Sequence, residues 1–389
     1  MIIADLHVHS RFSRATSPQI TIENIEKWAR IKGLDLIGTG DFSHPEWLEE
    51  LRQKLNEEGG ILRTPEGEIS FILTNEVSLI YKEGKGRRVH LVLLAPSFEV
   101  VEQINEFFSR YARLDYDGRP MLGISCPELV ENLMQISPQI EIIPAHIWTP
   151  WYGIFGSITG FDSMEEAFKD QVRHIHAFET GMSSDPEMNW QLSQLDKYAI
   201  ISFSDSHSCW PWRLGREATI FDITKVDYKE IIKAIRNKKI AFTIETDPNY
   251  GKYHYDGHRL CNFSCSPEEA IKLNNICPVC KKPLTIGVLH RVHELADRPS
   301  GFKPKEGIPF KRLLPLHELI AKVLGLAMTT KRVWQEYNEL TKNFGNELNV
   351  LLEAPLEKLA KVTKPKRAEL IIKNREGKIK VNPGFDGKY

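Results

Sequence analysis

The chain has 389 residues, 41% hydrophobic and 26% charged, a balance that suits a large globular core and excludes disordered and fibrous classes. Its net charge of −1 hides an asymmetry: residues 1–251 carry 26 basic and 37 acidic side chains, residues 252–389 carry 25 and 15. The acidic front suits cation binding and the basic back a polyanionic partner, while the lack of a leader or a long apolar run predicts a cytoplasmic protein with no membrane partner.

Taken in order, the chain alternates strand and helix. Ile2-Ile3-Ala4 begins a strand that delivers Asp5-Leu6-His7-Val8-His9-Ser10, and the two-residue repeat puts Asp5, His7 and His9 on one face. Two imidazoles on one face can grip one metal ion, or can simply be surface histidines. Thr21 to Gly33 reads as an amphipathic helix with a Thr cap and a Gly stop. A short buried strand then ends at Asp41, followed by His44 and a helix around 45–55. Strands over 70–81 and 87–95 carry Glu76 and His90, and helices follow at 98–111 and 126–136. Later strands end in His146, Glu179 and Asp205-Ser206-His207. Seven or so strands alternating with helices predict a closed or nearly closed β/α barrel, whose sites lie at the carboxyl ends of its strands. One histidine at a strand end is usually structural. Nine candidate ligands at such ends (His7, His9, Asp41, Glu76, His90, His146, Glu179, Asp205 and His207) point to metal.

These motifs resemble those of the PHP (polymerase and histidinol phosphatase) family over residues 1–245. The resemblance implies a distorted (β/α)7 barrel with two or three ions hydrolysing a phosphoester. It implies that His7, His9, Glu76 and Asp205 hold one ion, that Glu76 bridges to a second at His90 and His146, and that His207 belongs to a third. Where that family has Thr-Asp-His after the second strand, this chain has Gly40-Asp41-Phe42. A third position would then be weak, rebuilt from Asp41, His44 and His207, or filled only with substrate present. Two ions ~3.5–4 Å apart suit phosphoester hydrolysis. Mixed imidazole and carboxylate donors suit Zn²⁺, Mn²⁺ or Fe²⁺, and a weaker carboxylate-rich position suits exchangeable Mg²⁺ or Mn²⁺. Asp205, His207 and Glu76 are the expected catalytic residues, Asp205 or His207 aiding proton transfer.

Two loops at this end are aromatic. Trp148, Trp151, Tyr152 and Phe155 follow His146, while Trp210, Trp212 and Arg213 follow His207. They are read as substrate-binding, by stacking on a base and contacting a phosphate, against the alternative that they plug the barrel mouth.

Past residue 250, Cys261-x3-Cys265 and Cys277-Pro278-Val279-Cys280 predict a four-Cys structural zinc site over 251–296. About forty residues cannot build a core unaided. Lys281 and Lys282 beside it meet phosphates or water. Residues 297–389 read as a basic helical domain ending in a Lys/Arg-rich tail, expected to contact nucleic acid.

The whole arrangement is similar to the endonuclease Q family. DLHVHSRFSRATS, GTGDFSHP, PAHIWTPWYGIFGS, AFETGMSSDP, SFSDSHS and ICPVCKKPL carry the likeness. It implies a metal-dependent DNA-repair endonuclease cutting 5′ to a deaminated base (uracil, hypoxanthine, xanthine) or an abasic site, with damaged DNA as partner. Residues 384–389 do not resemble a sliding-clamp tag, so a clamp is not an expected partner. The rival readings are a PHP-type phosphatase of small phosphomonoesters, disfavoured by the zinc module and basic back half, and a non-catalytic DNA-binding protein, disfavoured by the intact ligand set.

Overall fold

The Thr21 hydroxyl accepts the Asn24 amide, which starts helix Ile22–Lys32, and Gly33, left-handed at φ 99°, stops it. Ser97 and Ser125 cap helices Phe98–Ser109 and Cys126–Ile136 in the same way. These helices pack their apolar stripes on a mixed sheet. The computed structural model describes residues 1–388; Tyr389, the last residue of the segment read for a clamp tag, lies outside them.

Strand Ile2–Asp5 pairs parallel with Leu36–Gly38, which pairs parallel with Ser70–Glu83. The next connection departs from a regular β/α repeat. Ser70–Glu83 folds back through Gly84, left-handed at φ 65°, into Lys85–Ala95 as a long antiparallel hairpin. A one-residue link leaves no length for the crossover that a parallel pairing needs. Lys85–Ala95 then pairs antiparallel with Glu141–Pro144. On the far side, Ala218–Phe221 and Ile240–Glu245 extend the sheet from Ile2–Asp5 by antiparallel pairing. Ala177–Glu179 and Ala199–Ile201 form a separate parallel pair that packs between Glu141–Pro144 and Ile240–Glu245 and closes the ring. The result is a distorted α/β barrel whose strand ends gather the candidate ligands.

The cysteine module is built on the hairpin Asp256–His258 and Phe263–Cys265. Its own core is only Cys265, Ala270, Cys277 and Leu284. The chain crosses the expected boundaries at residues 250 and 296 more than once. Strand Phe310–Arg312 joins the barrel sheet beside Ile240–Glu245, and five helices follow between Leu316 and Arg375. Phe385 then returns to bridge Tyr255 of the module. Among the described residues no helix is long and apolar enough to cross a membrane.

Candidate metal centre

Asp41, His146 and Asp205 each adopt left-handed backbone, at φ 47°, 30° and 48°. Such conformations are uncommon for residues with a side chain and here lie at three turns that leave strands toward one point. Together with the turn after Ile2–Asp5, they bring one donor atom each from His7, His9, Glu76 and Asp205 within 4.8 Å of one another. Donors of Glu76, His90 and His146 converge in the same way, so Glu76 is common to both groups. Its Oε1 lies 2.6 Å from His90 Nδ1 and 3.2 Å from His146 Nε2, and its Oε2 lies 3.4 Å from His9 Nε2.

Asp41 and Glu179, expected as ligands, belong to neither group. The Glu179 carboxylate faces His7 Nδ1 at 2.9 Å and accepts the His146 backbone amide at 2.8 Å. Asp41 lies 3.1 Å from His9 Nδ1 and accepts from the Ser10 amide, the Ser10 hydroxyl and the Ser13 hydroxyl at 2.6, 2.7 and 2.8 Å. A carboxylate at one ring nitrogen fixes the tautomer and turns the other nitrogen outward, a common arrangement behind metal-binding histidines. His207 is also outside both groups. Its Nδ1 faces the carbonyl two residues back, Asp205 O, at 2.9 Å, and its ring sits 4.6 Å from that of His9. His44 stacks against Phe12 at 4.2 Å. Among the described residues no third group of Asp41, His44 and His207 forms.

The donor set fits divalent metal ions. His7 Nε2 is buried with no hydrogen-bond partner while Nδ1 is held by Glu179. An orphaned buried acceptor costs ~1–3 kcal/mol, a penalty that a cation at this position removes. Burial would raise the Glu76 carboxyl, yet the adjoining Arg119 guanidinium and the hydrogen bond with His146 hold it well below the usual carboxylate range. Burial pushes His90 down to about 4, leaving a neutral imidazole suited to coordination.

Arg119 is a residue the sequence reading missed. Its Nη1 donates to Glu76 Oε2 at 2.9 Å from the loop before strand Met121–Leu122. No motif in Asp117-Gly118-Arg119 singles it out; only the fold shows Gly118 so close to the Asp41 carboxylate that a Cβ there would collide with it.

Of the aromatic residues expected to bind substrate, Tyr152 lies against a histidine of these groups, its ring tilted 4.2 Å from that of His90, on backbone held at φ 71°. Trp148 and Phe155 are fully buried against each other, and Trp148 Nε1 donates to Asn189. Trp151 meets Tyr253 edge-on. Trp210 and Trp212 stack 5.5 Å apart, and both pack on Trp334 of helix Lys331–Phe344. Both rings are half-buried against Trp334, so this loop ties barrel to helices. Arg213 sits on the following turn, partly exposed.

In the module, His258, Cys261, Cys277 and Cys280 converge within 4.8 Å, and Cys265 is not among them. The group that converges is three cysteines and one histidine, and Cys265 of the expected four lies outside it. His258 lies across the hairpin from Phe263, with Nδ1 3.4 Å from Cys280 Sγ, and Cys265 is buried in the small core with Cys277. The spacing His258-x2-Cys261 was visible in the sequence.

Comparison with known proteins agrees with this organisation. A family model described as the MJ0043 C-terminal domain matches residues 315–378. The uncharacterized protein MJ0043 of Methanocaldococcus jannaschii is 36% identical over 250 residues, covering 62% of this chain but only 30% of that protein. The uncharacterized protein YqxK of Bacillus subtilis is 29% identical, over 100% of this chain and 98% of its own. Among solved structures, the lesion-specific endonuclease PfuEndoQ from Pyrococcus furiosus superposes with a TM-score of 0.89 at 34% identity, covering 100% of this chain and 94% of its own. Endonuclease Q in complex with a 27-mer duplex substrate, an abasic lesion at its active site, superposes with a TM-score of 0.89 at 35% identity, over 100% and 95%. Matched from end to end at this identity, the chain belongs to the endonuclease Q family.

Proposed function

We propose that this chain is a metal-dependent DNA-repair endonuclease that hydrolyses the phosphodiester bond 5′ to a deaminated base or abasic site in duplex DNA, extruding the damaged nucleotide. The observation that carries the reading is Glu76, a fully buried carboxylate shared by two ligand groups at the mouth of a barrel matched end to end by endonuclease Q. His7, His9, Glu76 and Asp205 would hold one divalent ion, and Glu76, His90 and His146 a second. When bound, such ions lower the pKa of water and offset charge on a phosphate.

The chain's own groups do the rest. Arg119 presents a planar fork of donors beside Glu76, suited to a non-bridging phosphate oxygen. With Nδ1–H donated to the Asp205 carbonyl, His207 presents Nε2 as a proton acceptor at the partly exposed rim, and Asp205 adjoins it. Tyr152 offers a ring face to a displaced sugar or base. Extrusion costs a few kcal/mol, and less at a mismatched or missing base, which itself favours damaged sites. The Cys3His set would hold a structural zinc ion, since a four-residue core cannot stabilise the module alone.

The test is incubation of the metal-loaded protein with end-labelled duplexes holding one uracil, hypoxanthine, xanthine or abasic site, beside an undamaged duplex and a phosphomonoester. Nicking immediately 5′ of the lesion is expected. Release of phosphate from the monoester alone would overturn the reading, as would binding without cleavage under every divalent metal tried.

A further inference from the structure

The cysteine module ends in an apolar tip that its own fold does not use. Leu260 immediately precedes Cys261, and Val279 lies between Cys277 and Cys280. Their side chains are 84% and 65% exposed, although Cys277 belongs to the module's small core and Cys261 and Cys280 pack against it. The donor atoms of these cysteines converge within 4.8 Å, so both apolar side chains share the ligand-bearing end of the module. Arg259, Lys281 and Lys282 are exposed at the same end and form no ion pair with another described residue. A single exposed apolar residue needs no explanation. Two of them on a metal-stapled turn, ringed by three uncompensated cations, describe a surface complementary to a polyanion with an apolar interior.

The module is fixed beside the metal centre. Tyr253 packs against Trp151, the Ser157 hydroxyl donates to the Ile286 carbonyl at 3.4 Å, and Arg291 Nε donates to the Phe155 carbonyl at 3.2 Å. Trp151, Phe155 and Ser157 all lie on the loop that leaves His146, so the module stands at the rim of the barrel mouth.

We propose that Leu260 and Val279 form a wedge that enters the base stack of the duplex being cleaved, with Arg259, Lys281 and Lys282 on the flanking phosphates. This rests on the DNA-cleavage reading above and deepens it. Apolar side chains pushed between base steps unstack and kink a duplex, and rigid, metal-braced placement suits them to it. Kinking at one step lowers the cost of extruding a nucleotide nearby.

The test uses the full-length, metal-loaded protein and an abasic duplex carrying 2-aminopurine at successive positions on either side of the lesion. Two variants are compared with wild type: Leu260→Asn with Val279→Asn, and Lys281→Gln with Lys282→Gln. Wild type is expected to raise 2-aminopurine fluorescence at one step away from the cut. The apolar-tip variant loses that signal and binds about tenfold more weakly, while retaining zinc. The lysine variant keeps the signal but shows a salt dependence shallower by about two phosphate contacts. Should the double Asn variant lose zinc, Leu260→Ala alone is read by the same fluorescence. Wild-type fluorescence and affinity in a zinc-retaining tip variant would overturn the wedge, and would leave the tip to a protein partner. A wild-type protein that neither binds nor cuts any duplex would instead sink the DNA-cleavage reading itself, and the wedge with it.

Discussion

His7 and His9 are each held from behind by a carboxylate, and this separates residues that would touch metal from residues that aim them. Asp41 is tied by two hydroxyls and an amide, and Glu179 by the His146 amide, so neither turns into the ligand groups without breaking a buried network. Asp41→Asn is expected to weaken metal binding by about 10–100-fold while leaving the fold intact, read by metal titration. Glu76→Gln, by contrast, removes a donor from both groups and should abolish nicking outright. Arg119 makes a different contribution. Among the described residues its guanidinium hydrogen-bonds Glu76 alone, which leaves its remaining donors for a substrate oxygen. Arg119→Ala is expected to lower kcat on an abasic duplex by about 10²–10³-fold, the range seen when one charge-stabilising donor is lost. Arg119→Lys should recover part of it, because charge remains but the fork does not. Equal rates for wild type and Arg119→Ala would remove Arg119 from the reaction.

Local signals decided how much of the fold could be read in advance. Helix Ile22–Lys32 declared itself through Thr21 and Gly33, and the ligand-bearing strand ends through polar residues closing short apolar runs. The antiparallel hairpin of Ser70–Glu83 with Lys85–Ala95 was not legible, because alternation along a strand does not state which way its partner runs. The contacts of the aromatic loop after His207 were hidden for a related reason. A tryptophan's partner within the chain is chosen by the tertiary fold, and half-buried Trp210 and Trp212 meet Trp28, Trp334 and His317. Trp212→Ala is accordingly expected to cost about 3 kcal/mol of stability, seen as a lower urea midpoint, with nicking at saturating enzyme retained below the transition. Glu217 immediately precedes strand Ala218–Phe221 and Glu245 ends its antiparallel partner Ile240–Glu245, so they flank the Ala218–Ile244 pair, and both are fully buried. Burial pushes Glu217 up to about 8, so the folded state holds a proton that the unfolded chain releases at ordinary carboxylate pH. The stability this carboxyl contributes is then fully present below the ordinary carboxylate pKa, falls as pH rises toward about 8, and is lost above it. Glu217→Gln should flatten that fall between pH 6 and 9, measured by thermal melts across the range.

At the scale of the molecule, composition announced a division that the structure qualifies. The basic back half is not all free surface. Arg367 pairs with Glu336, and Arg375 donates to the Leu351 and Ala354 carbonyls at 2.7 Å, so these two hold helices together. The front half keeps its surplus of carboxylates partly as Glu76, Asp205, Asp41 and Glu179 around the ligand histidines. Nor do three pieces follow one another like beads, a point no composition profile could reveal. After the last helix the chain comes back to the cysteine module, where Asp386 accepts the Arg259 amide at 2.6 Å and the Thr285 hydroxyl at 2.9 Å. Phe385 packs on Gly257, where a Cβ would collide with its ring. A module with so small a core depends on such outside contacts as well as on metal, because the segment from 384 to 388 covers the hairpin that carries His258. Asp386→Ala should therefore speed zinc release to a chromophoric chelator, because His258 and Cys261 lose the strand and turn that hold them in place. The barrel groups share no residue with this contact, so their metal titration should be unchanged. Faster release from the module with an intact barrel titration is the expected pair of results; equal release rates would mean that the returning tail merely rests on a module already stable without it.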